Sequence, residues 1–358
     1  MAIREALASR ALPEVLTFSD GRPVTRDSWE ERRQELLRIL AEQEYGRMPP
    51  PCPVHAQILT RSDREYASKV EWTQFSVTLD TPLGAFSYPL NLFIPRTPGK
   101  HPLLLHINFR PNLPDQYMPI EEITDRGYAL ASFCYSDIAP DCEDGFAGGI
   151  APFYDRAVYD WGKIGMWAWA LSRSLDVLLS DDRIKQELVC VAGHSRLGKT
   201  ALWCGANDPR VGFVYTNDSG CSGDALTRRK RGERGADITG RFPYWFCSRY
   251  AAYAGREEEM PFDQHFLIAA CAPRCVIGGS AEEDIWADPL SQFLSYAAAD
   301  PVYRMLGLPG LVFPDRLPEP GDCTNEGGLG FHLRPGSHFF SRFDWNRLMD
   351  FMDKKRGL

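Results

Sequence analysis

Apolar and polar positions along the chain follow two different patterns. Residues 69–79 and 84–95 alternate apolar with polar side chains and are joined by a Thr-Pro-Leu-Gly turn, which predicts an antiparallel hairpin. After the hairpin, short apolar runs that predict strands alternate with longer runs whose spacing predicts helices. The predicted strands span 101–107, 128–134, 188–193, 211–216, 274–279 and 311–313, and the predicted helices span 158–179, 262–270, 290–305 and 344–354.

This order of elements predicts an α/β fold. Antiparallel strands followed by alternating strands and helices are typical of the α/β-hydrolase fold, a three-layer sandwich in which helices cover both faces of a mainly parallel sheet. A further predicted helix over 27–45, with Asp27 as its N-cap, ends at a proline-rich stretch. We therefore expect one α/β-hydrolase domain over 1–358, with an N-terminal helical extension at 1–60 and the hydrolase core at 61–358.

Composition and charge exclude several classes of partner. The 358 residues carry a formal net charge of −8, so no global positive field would attract nucleic acid or an anionic membrane. The N-terminal residues lack the apolar core of a secretion signal, which predicts a cytoplasmic protein unless a signal has been removed. Cys271 and Cys275 are spaced C-x3-C without a second half-site, and no phosphate loop or dinucleotide motif occurs. Neither a metal nor another cofactor is expected.

The segment 188–203 carries the strongest sign of chemistry. An apolar strand pattern ends at Gly193, Ser195 follows two residues later, and a helical pattern of small residues begins near Gly198. A serine on a strand–turn–helix is typical of the nucleophile of α/β-hydrolases, because the turn exposes Oγ and directs backbone N–H groups at an oxyanion. One extra residue separates the serine from the second glycine, so the usual G-x-S-x-G motif is only partly met.

A serine nucleophile needs a histidine base, and in α/β-hydrolases that histidine comes last in the chain. His265 lies in an apolar helical pattern, and His332 alternates with apolar neighbours like a residue of a short strand. His338 follows a flexible Pro-Gly-Ser and precedes the last predicted helix. We therefore favour His338 as the base.

The carboxylate that orients the base has two candidate positions. Asp218 comes directly after the strand predicted at 211–216. A group of four carboxylates, which includes Asp284, follows the strand predicted at 274–279. Either position could reach the imidazole, and either residue could equally be a helix cap or a turn residue.

Several ordered motifs resemble one family. Gly193-His194-Ser195-Arg196-Leu197-Gly198-Lys199 resembles the G-C-S-R-x-G-K nucleophile motif of the glucuronoyl esterases, carbohydrate esterase family fifteen, in its bacterial branch. The resemblance runs from about residue 85 to the C-terminus. Its other motifs are Asn217-Asp218-Ser219-Gly220, Arg228-Arg229-x-x-Gly232-Glu233, Tyr244-Trp245-Phe246-Cys247, Asp263-Gln264-His265, Glu283-Asp284-Ile285-Trp286-Ala287-Asp288-Pro289, and Gly-Ser-His338 with Asp344-Trp345.

The resemblance implies catalytic roles for five residues. Ser195 would be the nucleophile and His338 the base. Asp284 matches the acid of bacterial members, whereas Asp218 matches a position where other members carry a Glu. Arg196 would add a guanidinium to the oxyanion hole, where a fixed cation stabilises the charge that develops in the transition state.

The resemblance also implies a sugar site and two departures from the family. Lys199, Glu233 and Trp286 match residues that contact the uronate ring, and an aromatic flanked by charged groups suits the apolar face and hydroxyl rim of a pyranose. His194 replaces the family's frequent Cys, and Phe339 follows the proposed base. The disulfide that joins these two positions in fungal members cannot form here.

Together these residues predict a serine carboxylester hydrolase that forms an acyl-enzyme. The expected substrate is a small carbohydrate ester, namely an ester of a uronic acid of the 4-O-methyl-glucuronoyl type. Two alternatives remain open. One is an acetyl esterase acting on acetylated xylan sugars, and the other is a catalytically silent hydrolase fold that binds carbohydrate.

Overall fold

The computed structural model describes residues 2–355, whose strands form one mixed sheet. The strands are β1 (Val54–Arg64), β2 (Val70–Thr81), β3 (Gly84–Pro95), β4 (His101–Asn108), β5 (Ala129–Cys134), β6 (Ile184–His194), β7 (Phe213–Asn217), β8 (Cys275–Ala281), β9 (Cys323–Thr324) and β10 (Leu329–Arg334). Their order in the sheet is β1-β2-β3-β5-β4-β6-β7-β8-β10-β9. The run from β5 to β10 is parallel, and antiparallel pairs flank it on both sides.

Helices cover both faces of this sheet. They are α1 (Ile3–Ala8), α2 (Trp29–Leu40), α3 (Glu65–Ser68), α4 (Ile120–Asp125), α5 (Lys163–Leu178), α6 (Arg196–Asn207), α7 (Gly235–Arg241), α8 (His265–Ala269), α9 (Pro289–Met305) and α10 (Arg342–Lys355). Side chains of β4 alternate between the faces: Leu103 and Leu105 pack with α2, α5, α6, α8 and α9, whereas Leu104 packs with α4 and α10. The predicted three-layer α/β-hydrolase fold is thereby confirmed.

The predicted hairpin is β2 and β3, paired from Val70↔Pro95 to Thr81↔Gly84. The sequence did not predict β1, which pairs with β2 and crosses the boundary expected at residue 60. Because β1 is an edge strand with mostly exposed side chains, its sequence lacks the apolar alternation that marks a half-buried strand.

The strand predicted at 311–313 was wrong. Leu311 makes only an isolated bridge to Leu329, and its N–H donates to Asp300 Oδ1 at 2.8 Å. The last parallel strand is instead β10, which contains His332 and its alternating apolar neighbours. A side chain at Gly330 of β10 would collide with Phe351 of α10, so glycine marks a close approach rather than a loop.

Two predicted helices are shorter in the structure. The helix predicted at 158–179 begins at Lys163, because Gly162 before it is extended, with ψ 175°. The helix predicted at 262–270 is reduced to α8. Between residues 2 and 355, no helix combines the length and the apolar character that a membrane crossing requires.

Candidate active site

Ser195 lies on a sharp turn between β6 and α6. Its backbone is in the left-handed region, with φ 57° and ψ −126°, and its N–H donates to Asn217 O at 2.8 Å. A Cβ at Gly193 would collide with the carbonyl of Leu197, so the turn can be this tight only with glycine there. The strained turn lifts the serine to the carboxyl end of the parallel strands, as the sequence predicted.

His338 follows β10 and contacts a carboxylate at the end of β8. Its Nδ1–H donates to Asp284 Oδ2 at 2.6 Å. Burial would raise the pKa of Asp284, but the hydrogen bond and the charge of His338 outweigh it and keep the pKa below its usual value. The half-buried imidazole is therefore oriented by an ionised carboxylate.

Asp218 lies beside this pair without a hydrogen bond to the imidazole. Its Oδ1 accepts from Ala281 N–H at 2.9 Å, and Oδ2 lies 3.6 Å from Arg334 Nη2. Burial, and then the negative charge of Asp284, raise the pKa of Asp218 well above its usual value. One nitrogen or oxygen atom from each of Asp218, Asp284 and His338 lies within 4.8 Å of the others, and these residues could together hold a metal ion.

Arg196, the first residue of α6, extends along an aromatic surface. Its guanidinium lies 4.8 Å from the ring centroid of Trp245, which is stacked on Phe242 with centroids 3.9 Å apart. Nη1 donates to Asp141 Oδ2, an ion pair that the sequence did not predict. The Arg196 side chain is 28% exposed.

The three residues expected to bind the sugar lie on the same side of Ser195. Lys199 is buried and donates to Ser219 O, and burial lowers its pKa. The N–H of Glu233 donates to Trp286 O at 3.0 Å, while the Trp286 ring is 47% exposed. The aromatic ring of Trp286 and the polar side chains of Lys199 and Glu233 therefore line the same cavity.

All eight predicted site residues line one cavity of about 280 Å³. They are Ser195, Arg196, Lys199, Asp218, Glu233, Asp284, Trp286 and His338. Three further lining residues, Arg241, Phe242 and Trp245, had no role predicted from the sequence, although Tyr244-Trp245 was among the family motifs. The two other histidines that were considered as the base have other partners: His332 Nε2 lies 2.9 Å from Asp344 Oδ1, and His265 Nε2 lies 3.1 Å from Pro13 O.

A serine on a strained turn, lining the same cavity as an Asp–His pair at the carboxyl end of a parallel sheet, defines a serine hydrolase of the α/β-hydrolase class. Sequence comparison narrows the class: residues 81–307 match the family described as "Glucuronyl esterase, fungi". The chain therefore belongs to the glucuronoyl esterase family.

Similar proteins extend the match over nearly the whole chain. A carbohydrate esterase from an unknown prokaryotic organism is 34% identical, over 96% of this chain and 89% of the relative. A 4-O-methyl-glucuronoyl methylesterase from Schizophyllum commune is 30% identical, over 84% of this chain and 75% of its own. The structure of a glucuronoyl esterase from Solibacter usitatus superposes with a TM-score of 0.88 at 31% identity, covering 97% of this chain and 98% of that one.

Proposed function

We propose that the protein hydrolyses esters of a uronic acid of the 4-O-methyl-glucuronoyl type, with Ser195 as the nucleophile. The observation that carries the proposal is the 2.6 Å hydrogen bond between His338 and Asp284 in a cavity that Ser195 shares with Lys199, Glu233 and Trp286. The relatives named for 4-O-methyl-glucuronoyl esters support the same substrate class.

In the first half-reaction, His338 is the general base. Because Nδ1–H is donated to Asp284, the lone pair of Nε2 is free to accept the proton of Ser195 Oγ. Oγ then forms a bond to the ester carbon, and the carbonyl oxygen becomes an oxyanion. When the bond to the alkoxy oxygen breaks, the imidazolium returns its proton to the leaving alcohol, which leaves the uronoyl group on Ser195.

The second half-reaction repeats these steps with water. His338 takes a proton from water, the hydroxide adds to the acyl carbon, and Ser195 Oγ leaves with the proton. The products are the free uronic acid and the original serine. In both halves the oxyanion lies at the N-terminus of α6, where backbone N–H groups lack acceptors within the helix and the Arg196 guanidinium adds positive charge.

Asp284 is the acid that we assign to the triad. The alternative, Asp218, lies close by, but its carboxylate is hydrogen-bonded to Ala281 and its raised pKa favours the neutral form. A neutral carboxyl group cannot stabilise the imidazolium that forms during the reaction by charge.

The sugar site distinguishes a uronate ester from an acetate ester. In a uronate ester the acyl carbon belongs to the sugar itself, so the ring that Lys199, Glu233 and Trp286 contact is attached to the reacting group. In an acetylated sugar, the ring leaves with the alcohol. Contacts to the acyl side therefore favour the uronate.

Parallel assays test this function. The purified protein is supplied with methyl 4-O-methyl-glucuronate and, separately, with an acetylated xylo-oligosaccharide, and kcat/KM is measured for each. We expect the uronate ester to be hydrolysed faster and Ser195→Ala to abolish its turnover while sugar binding remains. Faster turnover of the acetate would support the acetyl esterase, and binding without hydrolysis by the wild type would support the silent fold.

A further inference from the structure

We propose that Asp141 is a positioning residue that fixes the Arg196 guanidinium beside the oxyanion. The proposal rests on the proposed function, because it assumes that Arg196 stabilises the oxyanion. Asp141 lies in the loop after β5 and comes from a different part of the chain than the serine turn.

Asp141 joins the elements that surround the guanidinium. Its Oδ2 accepts from Arg196 Nη1 and, at 3.2 Å, from the hydroxyl of Tyr135. Its Oδ1 accepts from Trp245 Nε1 at 2.7 Å, so the same carboxylate orients the indole whose face the guanidinium covers. The Asp141 side chain is only 10% exposed, which reduces screening of the ion pair by water.

The loop that carries Asp141 is itself fixed by a buried lysine. Lys163 Nζ donates to the carbonyls on both sides of Asp141, at 2.6 Å to Pro140 and 2.5 Å to Cys142. It also donates to Asp144 Oδ1 at 2.7 Å. Because the Lys163 side chain is fully buried, the carboxylate is presented from a rigid position rather than from a flexible loop.

Arg196 needs such a partner. An arginine side chain has many rotamers, and ordering it costs conformational entropy. An oxyanion is stabilised most by donors that are already in place when the charge forms. The ion pair occupies Nη1, whereas Nε is buried without a partner among residues 2–355. Asp141 therefore holds the Arg196 guanidinium at Nη1, and the other N–H groups of the guanidinium make no bond to Asp141.

The test is a double-mutant cycle on the full chain with the methyl uronate substrate. Removing an oxyanion donor costs about 10²–10³ in kcat, so we expect that loss for Arg196→Ala. For Asp141→Asn, which leaves Arg196 present but unanchored, we expect a loss of about 10-fold to 100-fold in kcat with KM within about threefold. The double variant is expected to be no slower than Arg196→Ala.

Glu143→Gln is the matched control, because it removes a carboxylate charge from an exposed position of the same loop, where the carboxylate accepts from Gly145 N–H. It is expected to keep kcat within about twofold, as is usual for a surface substitution. If Asp141→Asn does not fold, Asp141→Glu keeps the charge but displaces it by one methylene, and the same loss of kcat and the same lack of additivity are expected.

The outcomes separate the two proposals. Wild-type kcat in the Asp141 variants together with a large loss in Arg196→Ala would overturn the positioning role alone. Additive losses in the double variant would also overturn it, because Asp141 would then act independently of Arg196. Wild-type kcat in Arg196→Ala would overturn the oxyanion role of Arg196, and with it the role of Asp141.

Discussion

His194 lies against the imidazole of His338, with the ring centroids 4.4 Å apart. Its Nδ1–H donates to Asn217 Oδ1 at 2.7 Å, and burial, together with the charge of His338, lowers the pKa of His194 to about 3. His194 is therefore neutral at the pH values at which enzymes usually work, and it supports the base without repelling an imidazolium.

The two neighbouring carboxylates respond differently to substitution. Asp284→Asn removes the charge that orients His338, so we expect kcat to fall by about 10³–10⁴. Asp218→Asn resembles the protonated carboxyl that its raised pKa favours, so we expect a loss of about tenfold or less. Steady-state kinetics on the uronate ester check both values. The reverse order would move the acid to Asp218, and equal melting temperatures would exclude misfolding as the cause.

Local spacing predicts a residue's role only when its partners are near in sequence or follow a known order. Ser195, His338 and Asp284 could be proposed because strand ends converge at one edge of the sheet. Asp141 could not, because its value depends on Arg196 and Trp245, which only the folded chain brings to it. Nothing in the sequence around Asp141 distinguishes it from an ordinary loop aspartate.

At the scale of elements, α2 ends in a π-helical turn, Ala41–Tyr45, that directs Glu44 into the core. Gln264 Nε2 donates to both carboxyl oxygens, at 3.0 and 3.2 Å. Burial raises the pKa of Glu44 from 4.5 to about 8. Between pH 4.5 and about 8, Glu44 keeps its proton in the folded protein but loses it in the unfolded chain. The free energy of unfolding therefore falls as the pH rises through this range.

Glu44→Gln should remove this dependence. The amide stays neutral, so we expect the variant to match the wild type near pH 5 and to be more stable at pH 8, by about 1–3 kcal/mol. Denaturant unfolding across this range measures the difference. Glu42→Gln, on the same turn but only partly buried, is the control and should leave the pH dependence unchanged. A parallel fall in the wild type and in Glu44→Gln would contradict the prediction.

The elements that the sequence missed share a physical cause. Alternation of apolar and polar residues indicates a strand with one buried face. Most side chains of β1 are exposed, so its sequence shows no such alternation although its backbone pairs with β2. In β10, Gly330, which allows close packing against Phe351 of α10, resembles a turn residue. The buried parallel strands β4, β5, β7 and β8 were predicted to within about two residues because their side chains are mostly apolar. β6 begins earlier than predicted, at Ile184, because the residues that follow Ile184 are polar and at least partly exposed.

At the scale of the whole molecule, buried hydrogen bonds join the N-terminal extension to the rest of the fold. Arg10 Nη1 donates to Arg228 O at 2.6 Å and to Ser291 Oγ at 3.0 Å. Trp29 Nε1 donates to Ala272 O at 3.4 Å. The Arg10 contact lies next to the segment that leads to Glu233.

Replacing Arg10 should therefore lower the free energy of unfolding of the protein. Arg10→Met leaves the Arg228 carbonyl without its charged donor, and we expect a loss of about 1–3 kcal/mol in the free energy of unfolding. For a chain of this size that corresponds to a fall of about 1–4 °C in melting temperature. Arg4→Met, at an exposed position of α1, should change it by less than about 1 °C. Equal effects of the two variants would argue against the role of the contact.

The connection between β7 and β8 contributes Glu233, Arg241, Phe242 and Trp245 to the cavity, whereas the proposed nucleophile, base and Asp284 follow β6, β10 and β8. Of the three proposed sugar contacts, only Glu233 lies on this connection, whereas Lys199 and Trp286 lie on the same stretches of chain as Ser195 and Asp284. Replacing the β7–β8 connection with that of a relative could change which uronic acid the site accepts, while Ser195, His338 and Asp284 keep their positions. The replacement connection would have to keep a tryptophan at position 245. The Trp245 indole N–H donates to Asp141, and this hydrogen bond joins the connection to the loop after β5.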